Sequence, residues 1–270
     1  MKIKKNRKAM VVAVLTLICT VVLASCQKKE AGTQDVTILA AAAASLQYSF
    51  EDELIPIFEE QYPWITVEGT YDSSGKLQTQ IEEGLEADLF MSAAEKQMNA
   101  LVEEGYIEEA DVVPLLENKI VLITGADSKL ELKSFEDIMK ADTLALGDPK
   151  SVPAGEYAKE ALSGLGLWEQ ALKKASLGTN VTEVLNWVAE GSADAGIVYA
   201  TDAATTGSVK VIAEAPEGSL EKKVIYPLSV LKGTEHREAA DLFTEFLQTP
   251  KAAAVFEKYG FSPVNDTVVQ

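Results

Sequence analysis

The sequence predicts an α/β chain. Three observations carry this: short runs rich in Val, Ile, Leu and Tyr alternate with segments of helical period, strand-to-helix junctions recur along the chain, and neither a short repeat nor a Gly/Ser/Pro-rich linker divides it. In order, residues 36–39 (VTIL) read as a strand, and Ala40 to Ala44 as a loop of small residues before Ser45. Leu46, Phe50, Leu54 and Ile57/Phe58 share a helical face, so a helix is expected over 45–62, kinked or divided at Pro56. Residues 65–71 (ITVEGTY) give a second strand. Leu77 and Ile81 mark a short helix that Gly84 can end. Residues 87–91 (ADLFM) are a strand, and Ser92-Ala-Ala-Glu95 reads as a capping box for the next helix.

Further strands are expected at 119–124, 143–146, 196–199 and 225–231. Helices are expected near 134–140, after Pro153, and over 181–189, 238–247 and 251–259.

The first segment stands apart from this pattern. Five cations in residues 1–8 precede an apolar run from Met10 to Leu23 and then Leu23-Ala24-Ser25-Cys26. A basic start, an apolar middle and small residues before the cut are the parts of a secretory signal. The cysteine directly after L-A-S resembles the bacterial lipobox, in which that cysteine receives a diacylglycerol and becomes the new N-terminus. The expectation is a lipoprotein signal over 1–25, lipid on Cys26, and a polar tether over 26–34 that holds the domain at the extracytoplasmic face of the membrane. Such a signal removes five of the 24 Lys and Arg residues and none of the 42 Asp and Glu. The mature chain then carries 19 cations against 42 carboxylates, a formal charge of −23. That argues against nucleic acid as a partner. Cys19 leaves with the signal, so no cysteine remains for a disulfide. The roughly 244 residues after Cys26 suffice for one large domain or two lobes.

Several catalytic chemistries lack their parts. The lone histidine, His236, sits in a polar stretch and reads as a surface residue. With one histidine and no mature thiol, zinc sites and Ser-His or Cys-His triads have no usual partners. Residues 69–77 (GTYDSSGKL) approximate a P-loop, with one residue too many between glycines and Leu77 where Ser or Thr holds magnesium. Ser73-Ser-Gly-Lys76 spells the S-x-x-K of penicillin-recognising serine enzymes, without their S-D-N and K-T-G partners. A surface serine hydrolase using Ser73 and Lys76 is the lesser alternative.

The strand-to-helix junctions carry different chemistry. Ser45 and Ser73-Ser74-Gly75 each place a hydroxyl beside the unpaired N–H groups of a helix start, where the dipole favours an anion. Taken alone, each serine reads equally as a helix cap. Residues 147–162 (GDPKSVPAGEYAKEAL) closely resemble the molybdate-binding proteins of ABC transporters. A-A-A-S-L (42–46), S-S-G-K-L (73–77), A-D-L-F-M-S-A (87–93), G-I-V-Y-A-T-D-A (196–203), Y-P-L (226–228) and F-E-K-Y-G-F (256–261) resemble the same family in the same order.

The resemblance implies a two-lobed, venus-flytrap periplasmic-binding-protein fold with a ligand cleft between the lobes. The expected lobes are 35–118 plus 228–270, and 119–227. The oxyanion would be held by Ser45 and Ser74 through hydroxyl and backbone N–H, by the backbone N–H groups of Ala154 and Val181, and by the Tyr199 phenol. Molybdenum would be bound only as its oxyanion, without direct protein ligands and without a cofactor. The implied protein is a monomer, not an enzyme. It delivers molybdate, and tungstate too, to an ABC permease and its ATPase. A receptor of the same fold for another oxyanion, such as sulfate, is the alternative.

A site of neutral donors also accommodates the acidic composition, because hydrogen bonds to an ionised oxyanion are strong where water is excluded. Fully deprotonated molybdate, tungstate and sulfate only accept hydrogen bonds, whereas phosphate keeps a proton that needs an acceptor. Asp72, beside Ser73, is expected to face solvent or to bond locally.

Overall fold

The computed structural model describes residues 35–264. The signal, Cys26 and the tether lie outside the described residues. The chain builds β1 (Val36–Ala43), a helical segment α1 over residues 44–61, β2 (Ile65–Asp72), α2 (Ser74–Glu82), β3 (Leu89–Met91), α3 (Glu95–Glu103) and β4 (Val113–Asn118). After Lys119 it enters a second sheet with β5 (Ile120–Gly125), β6 (Leu144–Gly147), α4 (Pro153–Gly164), α5 (Trp168–Leu172), β7 (Ala175–Gly178), α6 (Val181–Ala189), β8 (Ala195–Tyr199), α7 (Ala200–Ala204) and β9 (Val209–Glu214). It then returns to the first sheet as β10 (Val224–Val230), α8 (Arg237–Leu247), α9 (Pro250–Lys258) and β11 (Ser262–Pro263).

The first sheet has the order β11-β4-β10-β3-β1-β2 and the second β7-β6-β8-β5-β9. In the first, β1 runs parallel to β2 and β3, and β10 is antiparallel to β3 and β4. In the second, β6 runs parallel to β7 and β8, and β5 is antiparallel to β8 and β9. β1, β3, β6 and β8 are interior, while β2 and β7 are parallel strands at the sheet edges.

Three expectations need correction. Ala40–Ala43 are not a loop. They extend β1, pairing Ala40 with Gly69 and Ala43 with Asp72 on one side, and Ala40 to Ala42 with Leu89 to Met91 on the other. Two ladders and two covered faces outweigh alanine's helix preference, and small side chains fit where helices press on both faces. Pro56 does not divide α1. The helix passes through a π segment at Phe50–Leu54, closed by Ile55 N–H to the Phe50 carbonyl, and Pro56 falls in the first turn of the α-helical piece Ile55–Gln61. The wider turn takes up the missing donor. The capping box at Ser92 does not form. Helix α3 starts at Glu95 with Ala94 as its N-cap, and Ser92 Oγ instead donates to the Ala94 carbonyl at 2.7 Å.

The sequence pattern also missed β4, β7, β9, α5 and α7. The helix expected near 134–140 is a single 3-10 stretch, Glu136–Lys140. Behind the first sheet, Phe58 packs on Phe243 with ring centroids 4.8 Å apart, and Phe50 meets Phe243 at 5.9 Å and Phe256 at 6.3 Å. This aromatic cluster joins α1 to the C-terminal helices α8 and α9 and fixes the position of the α1 start, where Ser45 sits.

Candidate functional site

The parallel strands of both sheets end toward one another. In open α/β sheets, ligands bind outside the carboxyl ends of the strands. A small cavity of about 10 Å³ lies there. Its walls include Ser45, Ser74, Ala154, Val181 and Tyr199, so all five residues expected to hold an anion line one cavity. The first two follow β1 and β2; the others come from the start of α4, the start of α6 and the end of β8. None is more than 8 % exposed, so these walls are almost wholly buried.

Neither serine caps its helix. Ser45 lies inside the first turn of α1, after Ala43, and its Oγ is 2.9 Å from Tyr226 Oη. Ser74 is the first residue of α2, and its Oγ accepts the Ala93 N–H at 2.9 Å. This explains the failed capping box: the Ala93 backbone is drawn toward the cavity, and its carbonyl accepts Tyr199 Oη at 3.3 Å.

The donor directions follow from the surrounding bonds. Asn118 Oδ1 accepts the Lys119 N–H at 2.8 Å, which turns its amide NH2 toward Thr201 Oγ1 at 2.8 Å and Tyr226 Oη at 3.1 Å. Ser45 Oγ and Tyr226 Oη share one hydrogen bond in which either can donate, and Tyr226 Oη also accepts from Asn118. Ser74 Oγ accepts the Ala93 N–H and keeps its own proton for the cavity. Burial pushes the phenols of Tyr199 and Tyr226 well above the usual tyrosine range, so both stay protonated, and the Tyr199 proton is given to the Ala93 carbonyl. Ala154 and Val181 stand in the first turns of α4 and α6, whose leading N–H groups have no intrahelical acceptor. Pro153 at the head of α4 has no N–H, which makes Ala154 the first donor of that helix.

Asp72 also lines the cavity, yet its carboxylate is occupied. Oδ1 accepts the Ser73 N–H at 2.7 Å, Lys76 Nζ at 3.2 Å and Asn180 Nδ2 at 3.4 Å. Lys76 therefore pairs with Asp72 and makes no hydrogen bond to Ser73, and the Ser73–Lys76 couple that a serine hydrolase needs is not formed. His236 is surface-exposed, with Nδ1 3.2 Å from Asp88 Oδ1, remote from the cavity. Among the described residues, no group of three or more His, Cys, Asp or Glu is placed to hold a metal ion.

Contacts between the two halves close the site. Gly75 N–H donates to the Ser151 carbonyl at 3.0 Å, and a β-carbon on Gly75 would sit 2.4 Å from that oxygen. Glu156 Oε1 accepts from both Lys96 Nζ and Gln97 Nε2 at 2.9 Å. Sequence reasoning missed the supporting residues Asn118, Ala93, Asn180 and Glu156. Tyr226 carried a signal, since it opens the Y-P-L motif, but nothing local to the sequence pairs it with Ser45.

The sequence matches the bacterial extracellular solute-binding protein family over residues 38–262. The chain belongs to that family. This solute-binding protein is 39 % identical over 252 residues to the Bacillus subtilis protein named "Putative ABC transporter substrate-binding lipoprotein YvgL", covering 92 % of this chain and 96 % of that one. It is 37 % identical over 231 residues to the molybdate-binding protein ModA of Escherichia coli, covering 83 % and 88 % of the two chains. Its fold matches the periplasmic molybdate-binding protein of Azotobacter vinelandii with a TM-score of 0.73 at 23 % identity, over 83 % of this chain and 98 % of that one. The mixed α/β architecture with two sheets is thus that of the periplasmic binding proteins.

Proposed function

We propose that this solute-binding protein captures molybdate, and tungstate as well, in this cavity and passes it to an ABC permease driven by its ATPase. The observation that carries the reading is the donor polarity of the cavity. Two serine hydroxyls line it, the acceptor side of Ser74 is taken by the Ala93 N–H, and two helix starts offer backbone N–H groups. Such a site suits a fully deprotonated tetrahedral oxyanion and leaves the proton of phosphate without an acceptor. The family membership and the names of the relatives point the same way.

The ion is cargo, held through its oxygens, and the protein needs no cofactor. The two sheets then correspond to two lobes that close on the anion by hinge motion, with Asn118–Ile120 as one crossing and the segment between β9 and β10 as the other. A lipid on Cys26 anchors the monomer at the extracytoplasmic face. Thermal shift with molybdate, tungstate, sulfate and phosphate tests this. Molybdate and tungstate are expected to raise the melting temperature; stabilisation by sulfate alone would keep the fold's role and replace the ligand.

A further inference from the structure

The Ser73 hydroxyl takes no part in the hydrogen bonds that orient Ser45, Ser74 and Tyr199. Ser73 is the N-cap residue of α2, with φ −61° and ψ 143°, the backbone geometry from which a serine side chain ordinarily accepts an N–H of the first turn. No such bond is made. The residue is 4 % exposed, it lines the cavity, and its Oγ has no hydrogen-bond partner. The neighbouring acceptor, Asp72 Oδ1, takes the Ser73 backbone N–H and not the hydroxyl. A buried hydroxyl left unmade costs free energy, so its retention in a buried cavity calls for a partner that arrives with the ligand.

We propose that Ser73 is a third hydroxyl ligand of the bound oxyanion, whose hydrogen bond is completed only when the anion fills the cavity. The proposal rests on the oxyanion reading and extends it. Ser73 differs in kind from Ser45 and Ser74. Those hydroxyls are hydrogen-bonded to Tyr226 and Ala93 before binding, whereas Ser73 has no protein donor to orient it and no protein acceptor for its proton. Donating to an anion oxygen satisfies that proton. Accepting from a protonated ligand would leave it unmet. Ser73 thus adds to affinity for a deprotonated tetrahedral anion while contributing nothing to the ligand-free fold.

The test compares the wild type, Ser73→Ala and Thr244→Val. Thr244 Oγ1 is also buried without a partner, but it lies on α8 and does not line the cavity. Each protein is titrated calorimetrically with molybdate, tungstate, sulfate and phosphate, and its melting temperature is measured without ligand. Ser73→Ala is expected to weaken the anion that the wild type binds best by about tenfold to hundredfold, the scale of a hydrogen bond to a charged group. Its ligand-free melting temperature should be no lower than that of the wild type. Thr244→Val should leave affinity unchanged. Affinity of Ser73→Ala within about twofold of wild type would overturn the proposal. So would a lowered ligand-free melting temperature, which marks a structural role. If the wild type binds sulfate and not molybdate, the molybdate reading falls while Ser73 is judged on sulfate. If it binds none of the four, both fall.

Discussion

The two halves of the cavity are built from different chemistry. On the side of the first sheet, Ser45 and Ser74 meet the cavity with side-chain hydroxyls held by Tyr226 and Ala93. On the side of the second sheet, Ala154 and Val181 have no polar side chain and offer only the N–H groups of helix starts, and the Tyr199 phenol is bonded to the Ala93 carbonyl. One wall is written in residue identity and the other in backbone geometry. The same anion can be held equally by both, yet the two walls should respond to mutation in opposite ways.

The largest effect is expected on the first wall. Replacing both Ser45 and Ser74 by alanine removes two hydroxyls and should weaken anion binding by about a hundredfold or more, measured by calorimetry. An unchanged affinity would strip the first wall of its role in binding. On the second wall, the identity of the side chain should matter little and the N–H a great deal. Val181→Ala keeps the N–H and should change affinity by no more than about twofold, whereas Val181→Pro should cost about tenfold or more. Proline is tolerated at the first helical position, and Asn180 is already extended at φ −153° and ψ 172°, so the backbone need not move. Equal affinities for the two variants would show that Val181 contributes no donor.

This contrast also explains what was legible in the sequence. Ser45, Ser74 and Tyr199 have side chains with a chemistry to recognise. Ala154 and Val181 do not, and only the likeness of the chain to a known family singled them out. The strand-helix alternation was readable because buried faces impose a period. Ala40–Ala43 misled because alanine's local preference is for helix, while its place in β1 is set by β2 and β3, neighbours distant in sequence. Ser92 misled in the same way: its capping spacing is local, but Ala93 is claimed by Ser74 and Tyr199 from other elements. The edge strand β9, with only Val209 buried, has little hydrophobic pattern to read.

A smaller effect is expected from the contacts that bring the walls together. Gly75→Ala would drive a β-carbon to 2.4 Å from the Ser151 carbonyl and disfavour the closed state. Affinity should drop by about tenfold with both walls chemically intact. Small-angle scattering in saturating ligand should show a more open particle; a fully closed one would show that this contact does not govern closure.

The smallest effect concerns Asp202, which lies three residues after Tyr199 on α7. Burial raises its carboxyl from 3.8 to about 7, against a lowering by the Tyr199 N–H that it accepts. A raised carboxyl pKa means that the folded state binds more protons than the unfolded one. Its contribution to stability is therefore full below about pH 4 and is lost as pH rises toward about 7. Asp202→Asn keeps an acceptor for the Tyr199 N–H and should flatten the pH dependence of the melting temperature across that window. An identical slope in the variant would rule out Asp202 as its source.

The claim beneath all of these is that the cavity is built to donate hydrogen bonds to a fully deprotonated anion. Calorimetric titration of the wild-type protein near neutral pH with molybdate and with phosphate tests it most directly. A cavity of donors predicts saturable binding of molybdate and no measurable heat of binding for phosphate. Phosphate binding as tightly as molybdate would contradict it, because the phosphate proton would then have found an acceptor.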